Sequence, residues 1–230
     1  MNSKEEIASA IQRIRTELNG KADLLAATKT VPAEIINFAA DNGITLIGEN
    51  RVQELLSKYD ALDRDKLEIH FIGHLQTNKV KYIIEKVSMI HSVDSLPLAA
   101  EIEKQAAKHG LFMRVLIEIN LGNEESKSGI PLEEAEPFLE KIAAFPHLIP
   151  CGLMAVPPKT DDESKKIENF RKIYQKFLDI RTKKEDNKEW RVLSVGMSGD
   201  YKLAVANGAN LVRIGSAIFG ARDYGTQTEK

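Results

Sequence analysis

Two short runs of small residues near the end of the chain have the composition of an anion cradle: Met197-Ser198-Gly199 and Gly215-Ser216. Each follows an apolar segment, Val192 to Val195 in the first case and Leu211 to Ile214 in the second. Glycine lets the backbone approach a ligand closely, and clustered N–H groups beside a serine hydroxyl suit phosphate oxygens. Read singly, Ser198 is also an ordinary helix N-cap, and Gly196 and Gly215 are ordinary turn formers. Arg213 stands two residues before Gly215 and carries a permanent positive charge. Far upstream, Lys29 closes the apolar run Leu24–Thr28. A lysine desolvated near other cations gives up its proton more readily and condenses with an aldehyde.

A lysine amine beside a phosphate cradle suits a phosphorylated carbonyl compound. Two classes fit: a sugar phosphate, or pyridoxal 5′-phosphate (PLP) held as a Schiff base. Arg213 bears on that choice. Against a pyridine nitrogen it would keep the nitrogen unprotonated and weaken the ring as an electron sink; the other reading pairs it with Asp200 or another local acid.

The elements that must position these residues follow from hydrophobic patterning. An opening amphipathic helix carries Ile7, Ile11, Ile14 and Leu18 on one stripe and closes at Asn19-Gly20. Apolar runs then read as strands over Leu24–Thr28, Ile44–Ile47, Leu67–Ile72, Met89–Val93, Met113–Ile119 and Leu148–Leu153, before the last two strands. Between them fall helical patterns: one starting at Pro32, then Val52–Leu62, Thr77–Lys86, Ser95–His109, one after Pro131, a long one carrying Ile167, Phe170, Tyr174 and Phe177, and a short one after Ser198. Pro137 predicts a late start or a kink in its helix. Val156–Lys165 reads as a polar, proline-rich loop, either a lid or surface padding, and Lys183–Lys188 as a charged exit. Continuous apolar strands alternating with helices along the whole length predict a closed parallel (β/α)8 TIM barrel over residues 1–230, with an extra N-terminal helix and no second domain.

A barrel of this kind carries its site at the C-terminal ends of its strands. Those ends are Lys29, Asn50, His74, Asp94, Asn120, Met154, Ser198 and Arg213. Phosphate in such barrels commonly binds the loops after the last two strands, which here are the two small-residue runs. No metal-ligand spacing, nucleotide-binding glycine motif or nucleophile elbow is present, and Cys151 reads as core packing.

Composition narrows the classes further. With 32 basic and 34 acidic residues the formal charge is −2, which argues against nucleic acid as a partner. One cysteine excludes an intrachain disulfide framework and fits a reducing compartment. The N-terminus is acidic and amphipathic, unlike a leader peptide, and no run is long enough for a membrane span. The expectation is a cytoplasmic protein.

The segments LLAATKTVP (24–32), GENRVQE (48–54), HFIGHLQTNK (70–79), GLMAVPP (152–158), SVGMSGDYKLAV (194–205) and VRIGSAIFG (212–220) resemble the pyridoxal phosphate homeostasis protein family, in the same order along the chain. Ala155 and Val156 stand where that family more usually has Thr and Ile. The resemblance implies the fold-type III barrel of the alanine racemase N-terminal domain. It implies PLP held covalently on Lys29. It further implies Ser198, Gly199, Gly215 and Ser216 on the phosphate, Arg213 on the pyridine nitrogen, and Asn50 and His74 lining the cofactor. It implies vitamin B6 and amino-acid homeostasis without defined catalysis, a monomer, and transient contact with PLP-dependent apo-enzymes. In the two-domain racemases that this chain resembles, a tyrosine from the partner's second domain supplies the opposing base. The alternative is therefore a PLP-dependent racemase or related fold-type III enzyme using His74 or Tyr224 for that base; a Schiff-base aldolase or isomerase acting on a sugar phosphate is the third reading.

Overall fold

The computed structural model describes residues 1–122, 124, 127–183 and 188–221. Tyr224 and part of the charged run Lys183–Lys188 lie outside the described residues. The strands are β1 (Asp23–Ala27), β2 (Leu46–Glu49), β3 (Glu68–Phe71), β4 (Met89–Val93), β5 (Met113–Ile119), β6 (Leu148–Ala155), β7 (Val192–Ser194) and β8 (Leu211–Ile214). All pair in parallel with their sequence neighbours, and β8 pairs with β1 to close the barrel. The helices are α1 (Lys4–Leu18), α2 (Ala33–Asp41), α3 (Val52–Lys58), α4 (Val80–Ile83), α5 (Leu96–His109), α6 (Ala135–Ile142), α7 (Glu163–Lys183), α8 (Tyr201–Ala206) and α9 (Ser216–Phe219).

The N-terminal helix is integral to this closure. A complete capping box at Ser3 and Glu6 starts α1, and left-handed Asn19 ends it. Its buried face (Ile7, Ile11, Ile14) packs against α2, α8 and α9. Since α9 spans four residues, α1 fills the gap in the helical ring between the last and first βα units.

Side chains alternate across each strand. Ala26, Ile69, Phe71, Ile90, Val115, Ile117, Leu193, Val212 and Ile214 face the helices in one continuous core. The lumen holds two smaller apolar groups, Met89–Leu116–Cys151–Met154 and Leu25–Ile72–Leu211. By the same alternation His70, His91, Glu118, Ser194 and Arg213 share the lumen face.

Several boundaries differ from the sequence-based expectation. The second strand begins at Leu46, because the Ile44 N–H bonds back to Ala39 O and so belongs to the exit of α2. Pro32 is the extended N-cap of α2 rather than part of its first turn. The helix expected over Thr77–Lys86 is a 3-10 turn (Thr77–Lys79) followed by one turn of α4. The Lys86 N–H closes a turn on Ile83 O where this helix ends. A 3-10 turn at Tyr59–Ala61 likewise ends α3 early. Pro137 meets its expectation by a late start: α6 begins at Ala135, so Pro137 falls in the first turn, where no intrahelical donor is needed. No helix among the described residues is long and apolar enough to cross a membrane.

Candidate functional site

At the C-terminal mouth, Asn50, Ser198, Gly199, Arg213, Gly215 and Ser216 line one cavity of about 450 Å³. Ala27, Ile72, Val156 and Met197 complete its wall. Val156 and Met197 are partly exposed at 39% and 38%, so the cavity has an apolar rim open to solvent. Asn50 is placed by a close approach: a Cβ on Gly73 would lie 2.1 Å from Asn50 O, so only glycine lets β3 turn away beside it.

Ser198 joins the two small-residue loops. Its Oγ accepts from the N–H groups of Gly215 and Ala217, each at 3.2 Å. That leaves the hydroxyl proton free to be donated into the cavity. Asp200, not Ser198, takes the N-cap position of α8, and its carboxylate accepts from Met197 N–H at 2.6 Å. Among the described residues, the N–H groups of Gly199 and Ser216 have no acceptor. A Cβ on Gly199 would meet nothing within 4 Å, so the space beside it is open. Donors without acceptors around open space suit an oxyanion.

Arg213 is 5% exposed and held by neutral acceptors. One terminal nitrogen donates to Ser194 O and Ser194 Oγ, both at 2.7 Å, and the other to Ala155 O at 2.9 Å. Burial pushes its pKa down to about 10, with Glu118 and Asp200 acting weakly the other way, so it stays charged at neutral pH. The alternative pairing with Asp200 is not among its hydrogen bonds.

Lys29 is half-buried on the turn after β1, two residues beyond Ala27 of the cavity wall. That turn is anchored from beneath. Buried Lys58 donates to Thr28 O (2.9 Å) and Val31 O (3.2 Å), and pairs with Glu49 (2.7 Å) and Glu54 (3.1 Å). The Thr28 hydroxyl donates to the Glu49 carboxylate and the Thr30 N–H to Glu54. Thr30 itself has φ 64°, a left-handed conformation uncommon for a β-branched residue. Lys58, Glu49 and Glu54 together hold this strained turn, and Lys29 rides on it.

His74 lies apart from the cavity wall. Its side chain is 61% exposed, 4.0 Å from Asp94 and 3.1 Å from Ser128 Oγ. Asn120 serves its own loop, bonding to Glu124 and Lys127 backbone oxygens. Glu118, not singled out by the sequence, is a strongly perturbed acid of the lumen. Burial pushes its pKa up to about 7, Asp94 adds to the rise and Arg213 opposes it, while Oε2 is buried without a partner. Its signal is a carboxylate breaking the apolar run that follows Arg114 in MRVLIEI. Lys58, Glu49 and Ser194 carry no such mark. Among the described residues, no three His, Cys, Asp or Glu side chains group as metal ligands.

Known proteins give this geometry a context. The alanine racemase N-terminal domain family matches residues 3–223. A pyridoxal phosphate homeostasis protein of Aquifex aeolicus is 42% identical over 234 residues, covering 97% of this chain and all (100%) of that protein. PipY of Synechococcus elongatus, solved with PLP bound, superposes with a TM-score of 0.85 at 29% identity over 93% of this chain and 100% of that one. An alanine racemase of Clostridium difficile shares the fold at 16% identity, with a TM-score of 0.78, over 96% of this chain and 58% of that one.

Proposed function

The chain belongs to the alanine racemase N-terminal domain family and, within it, to the pyridoxal phosphate homeostasis proteins, and from that membership and the strand-end geometry we propose that it binds PLP reversibly and serves intracellular vitamin B6 and amino-acid homeostasis without turning over a substrate. The observation that carries this reading is the cavity in which a phosphate cradle and a buried, charged Arg213 face one space beside the turn of Lys29. The residues fit the group. The Gly199 and Ser216 N–H groups, with the Ser198 hydroxyl, offer donors for a phosphate, Gly215 lines the same cradle, and Arg213 offers N–H donors for an aromatic nitrogen.

Lys29 is the residue whose amine would hold PLP covalently through its aldehyde carbon, with loss of water. Bound PLP supplies an electron sink for chemistry at an amino-acid α-carbon. Arg213, as a donor that does not give up its proton, leaves the pyridine nitrogen unprotonated and blunts that sink. Asn50 lines the cofactor on its remaining side, and His74, outside the cavity wall, is an outer, solvent-facing group. The apolar, open rim at Val156 and Met197 favours exchange with solvent or with an apo-enzyme over sequestered carbanion chemistry. The barrel acts as one unit, monomeric and cytoplasmic.

The test is a visible titration of wild type and Lys29→Ala with PLP, followed by incubation with a panel of amino acids in heavy water. We expect a new absorption band in wild type, none in Lys29→Ala, and no α-proton exchange. Rapid exchange abolished by His74→Ala would instead make the chain a racemase-like enzyme. A wild type that binds no PLP would refute the cofactor assignment.

A further inference from the structure

Behind Arg213 a line of polar side chains crosses the barrel lumen. Ser194 Oγ, which accepts from Arg213, lies 3.3 Å from His91 Nδ1. His91 Nε2 lies 2.9 Å from His70 Nδ1, and His70 Nε2 lies 3.2 Å from Glu68 Oε1. Glu68 also accepts from the Ser88 hydroxyl at 2.7 Å. Ser194, His91 and His70 are buried, whereas the Glu68 side chain is 49% exposed at the start of β3. The line thus joins the cofactor end of the barrel to its opposite end through four strands.

We propose that Ser194, His91, His70 and Glu68 form a one-directional hydrogen-bond relay that positions Arg213. This rests on the reading of Arg213 as a group facing PLP. The direction follows from the two ends. A guanidinium can only donate and a carboxylate can only accept. Arg213 donates to Ser194 Oγ, and because the Glu68 carboxylate requires the His70 proton on Nε2, with one ring proton per histidine the Ser194 hydroxyl donates to His91 Nδ1. His91 then carries its proton on Nε2 and donates to His70 Nδ1. His70 in turn carries its proton on Nε2 and donates to Glu68. Each buried member has one proton and one use for it, so the chain closes with no unmet donor.

The arrangement anchors the far end of the line on Glu68 while only neutral groups hydrogen-bond to Arg213, whose nearby charges are Glu118 and Asp200. A carboxylate in direct contact would hold the guanidinium and compete with a ligand for its N–H groups. The relay fixes the side chain and leaves its positive field directed at the cavity. Ser194 and His91 are therefore positioning residues, and Glu68 is the distal anchor.

Long-range 1H–15N NMR on the unliganded wild-type protein reads the relay without any cofactor. We expect both His70 and His91 as Nε2–H tautomers with unprotonated Nδ1. A His91 proton on Nδ1 would overturn the proposal, because the line would then run from Glu68 toward Arg213. The link to the site is read by PLP titration of Ser194→Ala, Ser194→Thr and Glu68→Gln. Losing a hydrogen bond to a charged group predicts roughly tenfold weaker binding and a displaced absorption band for Ser194→Ala, with recovery in Ser194→Thr. Glu68→Gln keeps an acceptor and should retain the wild-type band. A Ser194→Ala protein with wild-type affinity and band would refute the positioning role. If wild type binds no PLP, the reading of the site fails while the tautomers still decide the relay.

Discussion

Lys58 is buried against Glu49 and grips the Thr28 and Val31 carbonyls at the two ends of the Lys29-Thr30 turn. Methionine there would leave the Glu49 carboxylate unpaired in an apolar setting, and breaking a buried pair from one side costs ~3–5 kcal/mol. Burial already pushes Glu49 upward against the pull of Lys58, so the stranded acid takes up a proton and relieves part of that cost. Lys58→Met should therefore lower the urea midpoint by an amount equivalent to roughly 3 kcal/mol, and adding Glu49→Gln should restore part of it. An unchanged midpoint would show that the turn does not depend on this cation.

Glu118 makes a prediction of opposite sign to that of a salt-bridged acid. Its native pKa, about 7, lies above its ordinary value of 4.5, so the folded state binds its proton more tightly. Stability linked to this group is complete below the ordinary value and is lost as pH rises through about 7. Glu118→Gln should accordingly gain stability relative to wild type at about pH 8 and match it at about pH 5, as read by thermal melts. Cys151 is simpler. Burial pushes its thiol up to about 11, and its S–H donates to Ile149 O at 3.2 Å. A thiol reagent should label it only as fast as the protein unfolds, whereas immediate labelling of the native state would contradict its placement.

At the scale of elements, the irregularity in the β5–β6 ladder matters most. Val115 faces Pro150 while Leu116 faces Gly152, which leaves Cys151 as the extra residue. Gly152 has φ 150°, and a Cβ there would lie 1.8 Å from Val192 O on the next strand. Gly152→Ala must move β7 away from β6, at a cost on the order of 3 kcal/mol or more. Circular dichroism melts should show it as the most damaging single methyl in the barrel wall; a wild-type melt would mean that the ladder yields easily.

The strands at the centre of the chain are legible to the residue: MIHSV and MRVLIEI are read with the bounds that β4 and β5 have. They are long or sharply bounded and every outward side chain is apolar. Legibility fails where tertiary contacts decide. Ile44 is buried yet serves a helix exit, and the pattern over Thr77–Lys86 is helical in period while α4, after a single turn, gives way to a turn closed by Lys86 N–H on Ile83 O. For α7, Phe170 and Phe177 are buried as read and Tyr174 packs partly buried against the core, while the fully buried stripe also takes in Ile173 and Ile180.

For the molecule as a whole, eight apolar runs alternating with helices are enough to read a barrel, and the barrel tells which strand ends share a mouth. That is why the loops after β7 and β8 stand out in the sequence: the Gly and Ser residues there are local signals. The lumen is different. His91 and Ser194 are 103 residues apart, and no spacing rule joins them. His70 and His91 look like polar interruptions of short strands until closure turns both onto one line with Arg213. The same holds for Lys58, a helix lysine of unremarkable pattern that becomes the anchor of the Lys29 turn only in three dimensions.

Borohydride reduction of the PLP-loaded protein, followed by peptide mapping, tests the covalent and positional core of this account together. The expected result is a single pyridoxyl modification on Lys29, absent from Lys29→Ala. Modification of a different lysine, or none in a protein that binds PLP, would contradict the assignment of Lys29 as the group that carries the cofactor.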